Sequence, residues 1–476
     1  MLGPFPPPSA ERAIGIGFYG SRARGVPGRL KSAPEDFRVT EISNYPLPDE
    51  QGNYTVLRVV SHDWEQHELG AAIAHRLRLP AHSLEWAGTK DRRAVSERLV
   101  SYRGSPPSEP LALPRVELVE AYRARDGLVL GHHYGNSFDI RVEDLALPPA
   151  EAVPAFRAVE AELRERGGFP NFFGPQRFGE VRPITHEVGR WVVRGDIARA
   201  VEVYLVDRPA DGKVGVGDEA RRAYGEHHDP VRALREFPRE YRFERTLLEH
   251  LALGHPPERA FRALSRDLRL LFVHAFQAYL FNLWLSRRAA GGLALNAPVA
   301  GDTILRIGRD GTVRSREGIP VSADNLPDCA DLVARGRAFV AGPLVGYETP
   351  RTSGPAGDLL AGVLQEQDVE PGMFRVRAAP EVASRGAWRP ILVPVPPMGI
   401  LTDGSDGVRL RFALPKGAYA TVLLREFLKP PLERSLLIPG TRVAAPESLP
   451  NGPAVASTVR RTGPDGGGAA PASRPG

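Results

Sequence analysis

The residues best suited to chemistry lie in Gly88-Thr89-Lys90-Asp91-Arg92-Arg93, where one carboxylate sits among three cations on a glycine-containing turn. Neighbouring positive charge favours the ionised form of Asp91. A carboxylate held ionised by lysine or arginine suits nucleophilic or base catalysis on a phosphate-bearing substrate. A second group is Lys31-Ser32-Ala33-Pro34-Glu35-Asp36-Phe37, in which Pro34 restricts Ala33 to extended geometry. Alternation then places Glu35, Phe37, Val39 and Glu41 on one strand face, two carboxylates beside a Phe and a Val. Third, Asn136 and Phe138 in Gly135-Asn136-Ser137-Phe138 combine an amide able to bond a base edge with a ring able to stack on it. Fourth, the segment 168–179 (GFPNFFGPQRFG) gathers glycines, prolines and phenylalanines around Asn171, Gln176 and Arg177. Its glycines allow close backbone approach, and its Phe, Gln and Arg could bind an unstacked nucleotide. Each group also has a plainer reading. These are a solvated turn, a charged edge strand, a hairpin turn with a core Phe, and a crossover between domains.

The elements that must position these groups follow from periodicity. Residues 35–42, 53–60, 94–102, 116–122, 128–134 and 137–142 read as strands, and 63–79 and 150–166 as amphipathic helices. The first 166 residues are therefore mixed α+β and rich in antiparallel strands. Helical patterns dominate 184–290 (184–193, 197–205, 243–253, 257–264 and 268–288), with a Gly-rich loop at Ala210–Gly217. Short strands and turns follow over 299–346. Strand signals return at 388–395 and 408–414, and a helix is expected over 418–427. No internal repeat is visible.

Composition narrows the function classes. The chain has 476 residues and a formal net charge of +5, a bias that permits a polyanionic partner without requiring one. Arginine supplies most of the positive charge, since the lysines are only Lys31, Lys90, Lys213, Lys416 and Lys429. A single cysteine, Cys329, excludes an intramolecular disulfide framework and a cysteine-based zinc site. The pairs His62/His67, His132/His133 and His227/His228 lack acidic partners at ligand spacing, so no metal site is expected. There is no GxxxxGK[ST] phosphate loop and no GxSxG nucleophile elbow. The apolar stretch 270–285 is short and carries His274, Gln277 and Asn282, which points to a core helix rather than a membrane span. No apolar leader precedes residue 12, so a cytoplasmic location is expected.

Taken in order, the segments 31–42 (KSAPEDFRVTEI), 87–96 (AGTKDRRAVS), 135–142 (GNSFDIRV), 168–179, 274–282 (HAFQAYLFN) and 414–426 (LPKGAYATVLLRE) resemble the TruD family of tRNA pseudouridine synthases. The likeness runs from about residue 15 to about 430. It implies an α+β fold: a pseudouridine-synthase catalytic domain, with an antiparallel mixed sheet flanked by helices, interrupted by an inserted α/β domain. The expected division is catalytic over 15–173 and 390–443, with the insertion over 174–389. Disordered ends are expected over 1–14 and 444–476, the latter too poor in apolar residues to order itself. By resemblance Asp91 is the catalytic aspartate, and Lys31, Glu35, Asn136, Phe138 and Tyr419 line its site. Lys90, Arg92, Asn171, Gln176 and Arg177 are candidates for RNA contact. Ser96 stands where the family motif has Thr and keeps the hydroxyl.

The implied reaction isomerises uridine at position 13 of tRNA. The N1–C1′ bond breaks, the uracil turns, and C5 joins C1′, with no redox change and no cofactor or metal required. The base must leave the stack, and Phe138 is expected to stack on it while Asn136 orients it. Asp91 either attacks C1′ or removes a C2′ proton. The implied partner is tRNA, with no membrane or protein partner and a monomeric state. Three rival readings remain. One is a non-catalytic RNA binder of the same fold. Another is a hydrolase using Glu35 or Glu41 as second carboxylate. The third is the same chemistry on another RNA.

Overall fold

The structure, a computed structural model, describes residues 5–80, 82–179, 182–207, 216–308 and 311–430. The tail expected over 444–476 and residues 210–215 of the expected Gly-rich loop lie outside these. In chain order the strands are β1 (Arg29–Leu30), β2 (Phe37–Ile42), β3 (Tyr54–His62), β4 (Glu85–Trp86), β5 (Val95–Arg103), β6 (Val116–Ala124), β7 (Gly135–Glu143), β8 (Phe169–Pro170), β9 (Thr303–Ile307), β10 (Val313–Pro320), β11 (Ala338–Leu344), β12 (Ala387–Pro390), β13 (Leu392–Val393), β14 (Gly399–Asp403) and β15 (Gly407–Pro415). The helices are α1 (Ser9–Ala13), α2 (Gln66–Arg76), α3 (Pro149–Glu165), α4 (Thr185–Arg194), α5 (Ile197–Val206), α6 (Val216–His227), α7 (Pro230–Glu236), α8 (Arg242–Ala252), α9 (Pro257–Ala263), α10 (Arg266–Ala290), α11 (Leu326–Ala334), α12 (Pro355–Glu366) and α13 (Ala420–Leu428).

The fold is α+β, and its principal sheet is mixed. The strand order is β14-β15-β7-β2-β5-β3-β6, with β1 also along β7 and β4 also along β5. Only β2–β5 is a parallel pair within it. Register sets which side chains meet. On β7, alternation turns Asn136, Phe138, Ile140 and Val142 to one face. Their neighbours across the ladders are Glu41, Val39 and Phe37 of β2 and Leu414, Phe412 and Leu410 of β15. The opposite face is a lattice of charges, with Arg409 and Arg411 both on Asp139 (2.7 and 2.9 Å) and Arg141 on Asp406 (2.8 Å).

A four-stranded sheet ordered β10-β9-β11-β12 and the short pair β13–β8 complete the strands. Helix α10, which packs against α4, α12 and β11, is long and apolar enough by composition to cross a membrane. Here it is a core helix with Phe272, Phe276, Phe281 and Trp284 buried. Its buried polar residues are spent on neighbours. Gln277 donates to the Val345 carbonyl and the Ser384 hydroxyl, and Arg288 forms a fully buried ion pair with Asp302.

Three local expectations are corrected. Residues 128–134 form turns rather than a strand, because Gly131 adopts a φ of 85° and its amide bonds the Ala87 carbonyl instead of a ladder partner. Residues 5–14 are not a disordered arm. Within them α1 buries Glu11, whose carboxylate meets the fully buried Arg425 at 2.8 Å. Helices α6, α7, α11 and α12 were not anticipated; α6 takes in Val216 and Gly217, the end of the expected Gly-rich loop, and α11 carries Pro327 at its first turn.

Candidate active site

The Asp91 loop joins β4 to β5, and β4 lies along the same edge of β5 as β2. Side chains, more than backbone ladders, hold it. The Asp91 carboxylate accepts from Lys31 Nζ at 2.7 Å. The last cation in the loop, Arg93, donates to the Ser32 carbonyl at 2.6 Å. Lys90 donates to Glu41 Oε2 at 2.8 Å, and both side chains of that pair are only 2 % exposed. Thus three loop residues tie Asp91 to the chain entering and forming β2.

Lys31 is itself strained into position. Its φ is 55°, a left-handed conformation that costs a non-glycine residue about 1–3 kcal/mol and survives only where the surroundings impose it. Its ammonium lies 4.2 Å from the Phe37 ring centroid, a cation–π contact on the same sheet face as Phe138. Asp91 is about one third exposed, whereas Lys31 is mostly covered. A carboxylate in this setting is open to a substrate on one side and backed by a cation on the other.

Beneath the loop lies a group of buried polar residues. Glu41, Ser96, Arg98 and His133 are all buried. Burial pushes the Arg98 guanidinium down to about 10 and lowers both Lys90 and His133 from their ordinary values. The loop backbone packs directly on His133, since a Cβ on Gly88 would stand 2.9 Å from its ring. A buried Lys–Glu pair contributes little net stability, because desolvation offsets the attraction. Its effect here is geometric: it pins the residue next to Asp91.

The expected site residues divide into those the fold assembles and those it does not. Lys31 and Asp91 touch. Asn136 and Phe138 share their sheet face, and Asn136 Oδ1 is buried with no hydrogen-bond partner among the described residues. Phe138 is 8 % exposed, stacked on Phe412 at 5.3 Å and edge-on to Phe37. It therefore forms the floor of the site rather than a free stacking platform. Tyr419 is half-buried on the loop that follows β15, and its hydroxyl lies 3.5 Å from Arg177 Nη2. Glu35 falls in a short 3-10 turn before β2 and not on the Phe37–Val39–Glu41 face. It is exposed and approaches His62 at 3.6 Å.

Among the expected RNA contacts, Arg92 is exposed. Lys90 is not available, being buried on Glu41. Asn171 is likewise consumed inside the protein. Its Nδ2 donates to the Pro390 carbonyl at 2.8 Å, and its Oδ1 accepts from Arg389 at 2.6 Å. Gln176 and Arg177 are half-buried, Gln176 accepting from Thr421 at 3.4 Å. Sequence reasoning missed Arg389 and His133. For Glu41 the signal was present: a carboxylate in the apolar register of a strand needs a buried cation.

Comparison with known proteins places the chain in a family. A family model described as tRNA pseudouridine synthase D (TruD) matches residues 13–427. Relatives named "Probable tRNA pseudouridine synthase D" include those of Methanococcoides burtonii, 36% identical over 89% of this chain and 98% of that protein, and of Pyrococcus abyssi, 38% identical over 86% and 98%. The crystal structure of the Methanosarcina mazei tRNA pseudouridine synthase D (TruD) superposes with a TM-score of 0.77 at 34% identity, covering 90% of this chain and 99% of that one. This chain belongs to the TruD family of tRNA pseudouridine synthases.

Proposed function

We propose that the protein isomerises uridine 13 of tRNA to pseudouridine, with Asp91 as the carboxylate acting on the sugar. The observation that carries this reading is the Asp91–Lys31 contact on the sheet face floored by Phe138. The reaction rearranges one nucleotide: N1–C1′ breaks, C5–C1′ forms, and the proton displaced from C5 is balanced by one gained at N1. Lys31 stabilises the Asp91 anion until the sugar reaches it. Asn136 offers an acceptor for the uracil N3–H and a donor for a neighbouring carbonyl, the complement of the edge uracil presents. The target base leaves the helix to reach this face. The protein acts as a cytoplasmic monomer.

The test is pseudouridine mapping by carbodiimide treatment and primer extension on a tRNA transcript carrying uridine 13. The protein gives a stop at position 13 and Asp91→Asn gives none. A stop at another uridine alone overturns the position. Undiminished modification by Asp91→Asn overturns the role of the aspartate.

A further inference from the structure

Among the described residues, two arginines beside Tyr419 have no carboxylate partner. Arg389 is buried, and its recorded acceptors are all neutral: the Asn171 carbonyl and Oδ1 and the Gly417 carbonyl. Burial and the nearby Arg177 charge push it down to about 10. Among the described residues the Arg177 side chain makes one hydrogen bond, to the Tyr419 hydroxyl, and its Nε is buried without a partner. The two guanidiniums lie 4.1 and 5.6 Å from the same Phe173 ring centroid, so like charges are held close together. Among the described residues no Asp or Glu lies within ion-pair distance of either. By contrast the fully buried Arg288 and Arg425 each meet a carboxylate directly.

The same spot is the start of α13. Tyr419 is its N-cap, and no side chain caps its first-turn amides. An uncapped helix N-terminus carries partial positive charge and open N–H donors. Gln176 adds an amide at this end through Thr421. Uncompensated charge of one sign, drawn from three segments of the chain, calls for an anion. The loop that carries Tyr419 leaves β15 where Pro415 pairs with Gly135, next to Asn136, so the anion lies beside the uracil-binding edge.

We propose that Arg177, Arg389 and the N-terminal amides of α13 form a phosphate-binding site that takes one phosphodiester of the RNA strand adjoining the target uridine. This rests on the tRNA reading above and adds a contact that fixes the backbone while the base turns. Substrate approach then neutralises the repulsion between the two arginines.

The test measures tRNA binding by filter retention in the Asp91→Asn protein, a readout that needs no turnover and so stands whether or not Asp91 performs the chemistry. Arg177→Gln weakens binding about tenfold and lowers the slope of log affinity against log salt by roughly 0.7–0.9, the loss of one phosphate contact. Single methylphosphonate linkages are then placed in turn around the target uridine. At one of them neutralisation weakens binding about tenfold with Arg177 present and less than twofold with Arg177→Gln. Equal losses in both proteins at every linkage overturn the proposal. If Arg177→Gln does not fold, the scan on the arginine-bearing protein decides: one sensitive linkage supports the site, and none overturns it. Inorganic phosphate is the control. A rise in melting temperature that requires Arg177, with no sensitive linkage, assigns the site to a free anion and overturns the RNA contact.

Discussion

The Asp91 loop and the segment 168–179 look alike as sequence, each a glycine-bearing stretch dense in polar groups, and the fold treats them in opposite ways. In the first, side chains clamp a short loop so that one carboxylate stays partly exposed. In the second, polar groups turn inward. Asn171 satisfies Arg389 and Pro390, while Asn282 of α10 bonds both the amide and the carbonyl of Phe173. Phe169, Phe172 and Phe178 are fully buried. The difference teaches that a polar loop positions chemistry only where its charges are held and one of them is left reachable. Where partners inside the fold take a polar group, as at Asn171, the same residue type becomes mortar.

Substitutions can break that contrast. The largest effect is expected at Asp91. Asp91→Asn lowers turnover by about a thousandfold or more while tRNA affinity stays within about threefold, since a nucleophile or base is lost and little else. Single-turnover assays beside binding measurements check this. Next comes the clamp. Lys90→Met alone leaves Glu41 buried without its ammonium, a loss of about 3–5 kcal/mol. The double variant Lys90→Met/Glu41→Leu removes the stranded charge, so thermal stability recovers. Turnover remains about a hundredfold down, the scale of a small misplacement of a reacting group. Full turnover in a stable double variant would show that the pair does not position Asp91.

At Asn171 in the second region the expected loss is one of stability. Asn171→Ala deprives the Arg389 guanidinium of a charged hydrogen bond, about 1.5–3 kcal/mol, and leaves turnover per folded molecule at saturating tRNA unchanged. Denaturant unfolding paired with active-site titration measures both. The smallest effect is a pH slope. His186, buried between Phe178 and Tyr279, is pushed down to about 3 by burial. Between pH 6.5 and 3 the unfolded chain therefore binds a proton that the folded protein does not. Stability falls as pH drops through that window, by up to about 1.4 kcal/mol per pH unit. His186→Phe flattens this part of the curve, and unfolding followed at several pH values shows whether it does.

Much of this was legible before any coordinates. Period-two alternation gave Phe37, Val39 and Glu41 one face and Phe138, Ile140 and Val142 another, and register joined the two. Apolar spacing gave α4, α5, α8, α9 and α10 nearly to the residue, because each buries a continuous stripe. Direction was not legible. Lys90 and Asn171 are polar in sequence and buried in fact, because polarity does not say whether a partner waits inside. Glu35 left its strand face because the turn opened by Pro34 runs through Asp36 before extended geometry begins. Arg389 lies more than two hundred residues from the Asn171 it serves, beyond the reach of any local pattern.

The place of β15 has a consequence for how the molecule is made. It closes the free edge of β7, and Arg411 meets Asp139 across 272 residues of chain. A ribosome working at about 5–20 residues per second needs roughly 15–50 s to travel that distance. Through that interval the newborn chain carries β7 with one side unpaired, an open template for a neighbouring strand. Phe138 waits equally long for Phe412, its stacking partner. This sheet face is thus among the last parts of the protein to be finished, and a chain cut short before residue 407 keeps its aspartate loop and Phe138 without the Phe412 ring that backs them.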